Sequence, residues 1–391
     1  MALVVPLAEA ATAGAGIVGG KAASLGELSR AGVTVPPGFA VTTEAFALAL
    51  GAIDADGALR AGIEALSAAD LAGIADLSAR FRALVAGAPL PPEVAAAIEA
   101  GYTALEAGRS GESGGSGDGS RDLGGSGDPD VAVRSSATVE DSAEASFAGL
   151  QDTYLGISGA AAVLDHVRRC WASLYNDESV AYRRRLALPE AGVAMAVVVQ
   201  RMVAPRAAGV MFTRSPVTGD RSVVAIEGTW GLGSALVSGD VTPDSWAVSK
   251  ITGEITTRRV SAKDKIHRYT PNEGNNPNEG TTPTGGNAPT GKTASPPVQV
   301  ADMPASLRDA ACLTDDEIRA LAAVARRVEA HYGAPQDIEW AVLDGDAEPP
   351  TRIVLLQSRP ETVWASRESA PAGAPKPRAA DHVLALFGKH L

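Results

Sequence analysis

In the N-terminal part of the chain, apolar residues recur mostly at helical spacing. They follow this period over 21–31, where Gly32 stands as a natural C-terminal stop, so the sequence predicts a helix opening at Gly20 and Lys21. An extended piece over 33–41 leads to the alanine-rich stretch 57–107, which continues the helical period. We therefore expect a helical lobe at this end of the chain.

Further along, apolar residues form short runs or alternate with polar ones, which is typical of strands. The predicted strands lie at 131–133, 195–199, 209–213, 223–226, 245–250, 337–343 and 353–358. Helical patterns at 160–175, 177–187 and 314–332 separate them. This succession of helices and strands predicts a mixed α+β architecture.

Three stretches have a composition that does not build a core. Residues 108–130 combine Gly, Ser and Asp with almost no apolar side chain, which predicts a flexible loop. Residues 270–297 are rich in Asn, Gly, Thr and Pro, which predicts a low-complexity insertion. A Pro- and Ala-rich stretch opens the tail 365–391, which we interpret as a linker.

Composition and charge exclude several classes of protein. The 391 residues carry a net charge of -12, so no global basic field favours binding to nucleic acid or to an anionic membrane. The longest apolar run, 191–199, is far shorter than the roughly 20 residues of a membrane span. Only two cysteines are present, too few for a disulfide framework. We expect a cytoplasmic protein.

Signatures of common hydrolases are missing from the sequence. The five histidines show no H-x-x-x-H or H-E-x-x-H spacing, which argues against a catalytic zinc site. No G-x-S-x-G nucleophile elbow is present, and neither cysteine lies in a recognisable nucleophile context. A hydrolase is therefore disfavoured.

A glycine pair before the first long helix is a candidate phosphate site. Gly19 and Gly20 leave backbone N–H groups unpaired at a helix start, and Lys21 adds a positive charge beside them. The segment is not a Walker A loop, because Ala22 stands where that motif has Ser or Thr. The alternative is an ordinary surface helix with a solvated lysine.

A second candidate is the end of the strand at 131–133. Arg134 follows that strand, and an arginine there can donate two parallel hydrogen bonds to phosphate oxygens. Thr138 and the small residues of Ser146 to Gly149 would let a loop lie close over a ligand. The alternative is a strand-to-helix connection with a surface salt bridge.

A third candidate lies on the last two predicted strands. Because side chains alternate along a strand, Asp337 and Glu339 share one face, as do Gln357 and Arg359. If the two strands form a hairpin, Glu339 and Gln357 become cross-strand neighbours beside Arg359. Two oxygen ligands next to a guanidinium suit a Mg²⁺-phosphate complex. The alternative is a polar sheet face with a stabilising Glu–Arg contact.

Five longer blocks contain these candidates and run through most of the chain. They are GGKAASLGELSRAGVTVPPGFAVTTEAF (19–46), VAVRSSATVEDSAEASFAGLQDTYLGI (131–157), VVVQRMVAPRAAGVMFTRSPVTGD (197–220), IEGTWGLGSALVSGDVTPDSWAV (226–248) and DIEWAV with LLQSRPETVW (337–364). Together they resemble the N-terminal nucleotide-binding domain of the phosphoenolpyruvate synthase and pyruvate phosphate dikinase family. Five matches in family order are far more specific than any single motif.

The resemblance implies an ATP-grasp-like fold, in which an N-terminal lobe (1–192) and a C-terminal lobe (193–364) clasp ATP. It implies roles for matching residues, each carried over by position. The phosphate-contacting cations are Lys21, Arg134 and Arg359, the Mg²⁺ ligands are Glu339 and Gln357, the adenine pocket is lined by Gln200, Met202 and Val203 with Glu227 adjoining, and Thr138 and Ser146 to Gly149 cover the phosphates. Ser234 departs from the family, which commonly has Glu after WGLG.

The resemblance also implies a phosphotransferase that needs a partner. Family enzymes pass phosphate through a swivelling domain with a phospho-accepting histidine, and no matching segment follows Trp364. Some members are split, including phenylphosphate synthase, and rifamycin phosphotransferases share the domain. We expect Mg-ATP to be cleaved to AMP and phosphate, with transfer to a histidine on a separate chain and then to a small acceptor such as pyruvate or a phenolic compound. Two alternatives are a non-catalytic ATP-binding regulatory subunit and an ATP-grasp ligase.

Overall fold

A computed structural model of the chain describes residues 2–112, 128–138, 141–142, 145–146, 152–270, 298–361 and 364. Most of the predicted loop 108–130, most of the predicted insertion 270–297, and the tail 365–391 lie outside these residues, as does Gly149. The elements before the second sheet are β1 (Val4–Pro6), α1 (Ala10–Ala13), α2 (Ala15–Arg30), β2 (Gly38–Val41), α3 (Thr43–Ile53), α4 (Ala58–Glu64), α5 (Leu71–Gly87), α6 (Pro92–Glu112), β3 (Val131–Ala137), β4 (Asp141–Ser142), β5 (Ala145–Ser146), β6 (Thr153–Ile157), α7 (Ala160–Ser173), α8 (Asp177–Arg185) and β7 (Met195–Arg201).

The remaining elements are β8 (Pro205–Phe212), β9 (Val223–Trp230), α9 (Ser234–Val237), β10 (Asp244–Ser249), β11 (Ile255–Arg259), β12 (Lys265–Tyr269), β13 (Val298–Asp302), α10 (Ala305–Arg308), α11 (Asp315–Tyr332), β14 (Gln336–Leu343), α12 (Pro349–Arg352) and β15 (Ile353–Pro360). Helices and antiparallel sheets are thus combined in the described part of the chain, which confirms the predicted α+β class.

The first sheet, here called the N sheet, has five strands in the order β1-β2-β7-β3-β6. Its central strands are apolar on one face, where Val133, Val197 and Val199 pack against helices that include α3, α5 and α7. Trp171 of α7 is buried there, and its indole N–H donates to the carbonyl oxygen of Met195 at 3.1 Å. The predicted N-terminal helical lobe is the helical layer on this face.

The second sheet, here called the C sheet, has six strands in the order β11-β10-β9-β8-β14-β15. Helix α11 covers one face, where its Ile318 and Leu321 pack with Trp340 of β14. The helix begins at a capping box, since the Thr314 hydroxyl accepts from the backbone N–H of Glu317 while the Glu317 carboxylate accepts from that of Thr314.

The Glu317 carboxylate is also an ionic link within the C-sheet layer. Both of its oxygens lie 2.7 Å from Nη2 of Arg206, and Arg352 approaches at 3.1 Å. Burial of Glu317 raises the pKa of this carboxyl, but the N–H of Thr314 and the two guanidinium groups outweigh burial and hold the pKa below its usual value. The first turn of α11 is therefore fixed to β8.

Helix α2 connects the two sheets. It contacts β3 and β7 of the N sheet and β15 of the C sheet. The Ser24 hydroxyl donates to the carbonyl oxygen of Ser358 at 2.6 Å. Just after α2, the carbonyl oxygen of Thr34 accepts a hydrogen bond of 2.9 Å from the backbone N–H of Leu355. The chain itself crosses from the N sheet to the C sheet at residues 202–204, between β7 and β8, after the expected lobe boundary at 192/193.

Two details differ from the sequence prediction. Helix α6 continues to Glu112, into the segment 108–130 predicted as a loop, because propagation costs little once a helix has formed. Strands β11, β12 and β13 were not predicted, and more than half of their residues are exposed. Within the described residues, no helix is both long enough and apolar enough to cross a membrane.

Candidate nucleotide site

One row of side chains on the C sheet carries both predicted Mg²⁺ ligands together with Glu227. Glu227 of β9 lies opposite Val210 of β8, Val210 lies opposite Glu339 of β14, and Glu339 lies opposite Gln357 of β15. This row belongs to the face that is not covered by α11. The predicted hairpin is present, and Glu339 and Gln357 are cross-strand neighbours as the alternation of the sequence required.

Arg134 of the N sheet reaches this row. Its Nη2 donates to Oε2 of Glu339 and to Oε1 of Gln357, both at 2.9 Å, and its Nη1 donates to the carbonyl oxygen of Leu356 at 2.8 Å. The pairing of β14 with β15 shifts by one residue beside Glu339, so Leu356 is the extra residue of a β-bulge. The bulge supplies the third acceptor. One guanidinium thus joins the two sheets.

The second predicted arginine of this hairpin has a different carboxylate partner. Arg359 lies opposite Asp337, with 3.5 Å between its Nε and Oδ2 of Asp337, whereas Glu339 pairs with Arg134. The pKa of Asp337 is raised to about 6, chiefly by burial and also by the nearby Glu361, against the lowering effect of Arg359. Oδ1 of Asp337 is buried and has no hydrogen-bond partner among the described residues.

The predicted glycine turn is a kink inside α2. The helix runs from Ala15 rather than opening at Gly20 and Lys21, but Gly19 has φ +75° and interrupts it there. A Cβ at Gly19 would lie 1.9 Å from the carbonyl oxygen of Ser136, so only glycine allows β3 to approach. The Ser136 hydroxyl accepts from the N–H of Ala22 at 3.2 Å and donates to the carbonyl oxygen of Val18 at 3.0 Å.

The contact of Ser136 with α2 fixes the backbone position of Lys21. Lys21 lies two residues after the kink and next to Ala22, which Ser136 holds. Ser136 and Arg134 are two residues apart on β3 and therefore lie on the same face of the N sheet. Lys21 and Arg134 thus come from segments that are fixed to one strand.

The three residues predicted for an adenine pocket lie at or beside the crossing between the sheets. The backbone N–H of Met202 donates to the carbonyl oxygen of Asp130 at 2.9 Å. Val203 packs on a small apolar cluster on the C-sheet face opposite α11, formed with Ala208, Ala341, Val354, Leu343 and Leu356. Gln200 is buried, and its Nε2 donates to the carbonyl oxygen of Pro36 at 3.1 Å.

The residues predicted to cover phosphates are described only in part. Thr138 directly follows β3, and its hydroxyl donates to the carbonyl oxygen of Ala194 at 3.3 Å. Ser146 lies in β5, where it pairs with Asp141, and Gly149 lies outside the described residues. Ser234, the departure from the family pattern, is 2.9 Å from Nδ1 of His267 through its hydroxyl.

A family model described as "Pyruvate phosphate dikinase, AMP/ATP-binding domain" matches residues 15–379. The chain belongs to this family. The two-sheet fold is accordingly ATP-grasp-like, and the resemblance found in the five sequence blocks is confirmed.

Relatives of known name are similar over most of this chain. Phosphoenolpyruvate synthase of Aeropyrum pernix is 40% identical over 366 residues, which are 93% of this chain and 43% of that protein. Rifampicin phosphotransferase of a Streptomyces species is 41% identical over 361 residues, 92% of this chain and 36% of the relative. The rifampicin phosphotransferase of Bacillus subtilis is 35% identical over 347 residues, which are 88% of this chain and 34% of that protein. The chain spans less than half the length of these relatives.

The geometry fits a pyruvate phosphate dikinase AMP/ATP-binding domain. The apolar cluster at Val203 lies on the same face of the C sheet as Glu339, and Arg134 and Arg359 lie beside that row of side chains. Glu339 and Gln357 offer carboxylate and amide oxygens, the donor types that Mg²⁺ prefers. In the described part of the chain, no group of three or more His, Cys, Asp or Glu residues is arranged to hold a metal. An ion here would therefore also need oxygens from a bound phosphate.

Asp337 lies beside the predicted site residues Glu339 and Arg359, and the sequence did not assign it a role. Its alternation with Glu339 was recognised, but only the structure shows its burial and its unpartnered oxygen. Asp337 therefore lies on the same face of β14 as Glu339, with one buried carboxylate oxygen. The sequence shows the two carboxylates at positions i and i+2 of a predicted strand, but this spacing alone says only that they share a face.

Proposed function

We propose that the protein binds Mg-ATP between the N and C sheets and uses it to phosphorylate a histidine on a separate partner protein. The observation that carries this proposal is the contact of Arg134 with Glu339 and Gln357, which gathers three of the predicted site residues at the junction of the two sheets. Family membership supports ATP as the nucleotide.

In this proposal, positive side chains position the phosphates and neutralise their charge. Arg134 and Arg359 lie on different sheets, so they can contact the triphosphate from two sides, and Lys21 adds a point charge from α2. A bound Mg²⁺ would supply further charge neutralisation at Glu339 and Gln357. Glu339 and Gln357 would hold that ion through their side-chain oxygens, which accept from Arg134 in the structure.

The proposed reaction cleaves ATP to AMP and phosphate. One phosphoryl group forms a bond to a histidine nitrogen, and the other is released as phosphate after attack by water. The phosphohistidine would then pass its phosphoryl group to a small acceptor such as pyruvate or a phenolic compound. More than half of each named relative lies outside the region that this chain matches.

The products of ATP test this reaction directly. The acceptor would be the full-length Aeropyrum pernix relative, with alanine in place of its own counterpart of Lys21. We expect this chain to release AMP and to label that relative with acid-labile phosphate. The Arg134→Gln variant should lose both products, while Arg319→Gln, on the exposed side of α11, should retain them.

Other product patterns would favour the alternatives. Release of ADP without AMP would point to an ATP-grasp ligase. Binding of ATP without turnover, with every acceptor tried, would favour a regulatory subunit. Equal activity of Arg134→Gln and Arg319→Gln would show that the assigned site is wrong.

A further inference from the structure

A two-stranded ribbon stands apart from both large sheets. It consists of β12 and β13, which pair from Lys265 with Asp302 to Tyr269 with Val298. Neither strand was predicted, and none of the site residues above belongs to it. The middle and one end of its strand β12 are nevertheless fixed to different parts of the molecule.

The middle of β12 is fixed to the loop that follows β9. The backbone N–H of Leu232 donates to the carbonyl oxygen of His267 at 2.9 Å, and Gly231 forms a bridge with the same residue. The His267 ring is 2.9 Å from the Ser234 hydroxyl through Nδ1 and 3.1 Å from the Asp240 carboxylate through Nε2. These contacts hold the ribbon on the C-sheet side.

The end of β12 reaches across to the N sheet. The hydroxyl of Tyr269 donates to the carboxylate of Asp130, the residue just before β3. Asp130 is buried, and its carbonyl oxygen accepts the backbone N–H of Met202 at 2.9 Å. Burial and the Asp130 carboxylate both raise the pKa of Tyr269, so the phenol remains a hydrogen-bond donor at neutral pH.

We infer that Tyr269 is a positioning residue for the base end of the nucleotide site, and that the β12–β13 ribbon is a strap across the crossing between the two sheets. The strap acts through Asp130 on Met202, so it fixes the backbone that the proposed function places against the base. This inference rests on that proposed function for its ligand, although the contacts themselves do not.

The position of the strap predicts a selective effect. Lys21 and Arg134 are fixed through α2 and β3, and neither Tyr269 nor His267 contributes to those contacts. Loosening the strap should therefore weaken the binding of an adenine nucleotide while leaving the binding of phosphate groups alone nearly unchanged. A general loss of structure would weaken both.

The test compares two tyrosines that each donate to an aspartate. Tyr269→Phe removes the strap contact, while Tyr154→Phe removes a 2.7 Å bond to Asp152 that stays within the N sheet. Hydrogen exchange at single-residue resolution should show the amide of Met202 exchanging about tenfold faster in Tyr269→Phe, since a buried acceptor loses its partner, and unchanged in Tyr154→Phe. The affinity for ATP should fall by about the same factor only in Tyr269→Phe, and the affinity for inorganic tripolyphosphate should not change.

Each outcome decides the matter. Unchanged exchange at Met202 in Tyr269→Phe overturns the strap, as does an equal loss of ATP and tripolyphosphate affinity. If the wild-type protein does not bind ATP, the proposed function fails, and the exchange at Met202 still decides whether Tyr269 positions the crossing. Should Tyr269→Phe not fold, Asp130→Asn keeps an oxygen acceptor without the charge and should accelerate the same amide by a smaller factor; no acceleration there also overturns the inference.

Discussion

A single hydroxyl maintains the kink that presents Lys21. Val18 and Ala22 are spaced as acceptor and donor of one helical hydrogen bond, and the Ser136 hydroxyl bonds to both of them at the point where Gly19 interrupts α2. Ser136 is 0% exposed. The change Ser136→Ala therefore leaves the carbonyl oxygen of Val18 and the N–H of Ala22 buried without this hydrogen-bond partner.

The expected loss of stability follows from these two groups. A buried polar group without a partner costs about 1–3 kcal/mol, so two such groups cost roughly 2–4 kcal/mol after partial relaxation. A matched control exists in α5, where Ser78 is also 0% exposed but its hydroxyl has no hydrogen-bond partner in the described structure. There, Ser78→Ala should change the free energy of unfolding by at most about 1 kcal/mol, and in the stabilising direction.

Urea unfolding followed by far-ultraviolet circular dichroism measures both variants. We expect Ser136→Ala to lower the unfolding midpoint clearly and Ser78→Ala to leave it unchanged or raise it. ATP affinity should fall roughly tenfold in Ser136→Ala, because the segment carrying Lys21 is released. Equal stability losses in the two variants would refute the reasoning, since the chemical change is the same and only the hydrogen bonds differ.

Three further predictions concern the kink, the ionic link and the junction. Gly19→Ala should unfold the protein or cost more than about 3 kcal/mol, whereas Gly32→Ala, at φ +70° with no atom within 4 Å, should cost only about 1 kcal/mol in urea unfolding. The pKa of the Glu317 carboxyl is lowered in the folded protein, so the ionised group stabilises the fold at pH values above its ordinary pKa of 4.5. This stabilisation is lost as the pH falls through the folded-state pKa. The difference in unfolding free energy between wild type and Glu317→Gln should therefore narrow below pH 4.5. Arg134→Lys keeps the charge but not the planar fork that reaches three acceptors, and should lower turnover by about tenfold or more; wild-type turnover would contradict its proposed role.

Long periodic elements were predictable because their pattern reports a buried face. Helix α11 was predicted within a residue of its observed bounds, since a strong apolar stripe follows Thr314, a capping residue. The neighbouring positions of Glu339 and Gln357 also followed from the sequence, because period-two alternation and hairpin closure together fix the register. These predictions needed only local information.

Elements without a buried apolar face were not predictable in the same way. Strand β11 is exposed along most of its length, and β12 with β13 forms a ribbon outside both large sheets. Their stability comes from contacts with distant residues, such as that of Tyr269 with Asp130, 139 positions apart. Local propensity carries little information about such contacts.

The contacts across the two sheets were the part of the site that the sequence concealed. Arg134 was predicted to contact phosphate, but its acceptor at Leu356 depends on the β-bulge of β15. Glu339 pairs with Arg134 rather than with Arg359 because of how the two sheets meet. Likewise, the kink at Gly19 reflects the approach of β3, although the glycine pair itself was recognised as unusual. A single sequence does not specify such distances.

The central claim is that ATP binds between the two sheets with Lys21 contributing to the site. Isothermal titration of ATP into the purified protein, with and without Mg²⁺, tests it most directly. We predict metal-dependent binding that is lost in Lys21→Ala and retained in Arg319→Ala, a change at an exposed arginine of α11 paired with Asp316. Absence of binding in a folded wild-type sample, or equal binding by the two variants, would contradict the account.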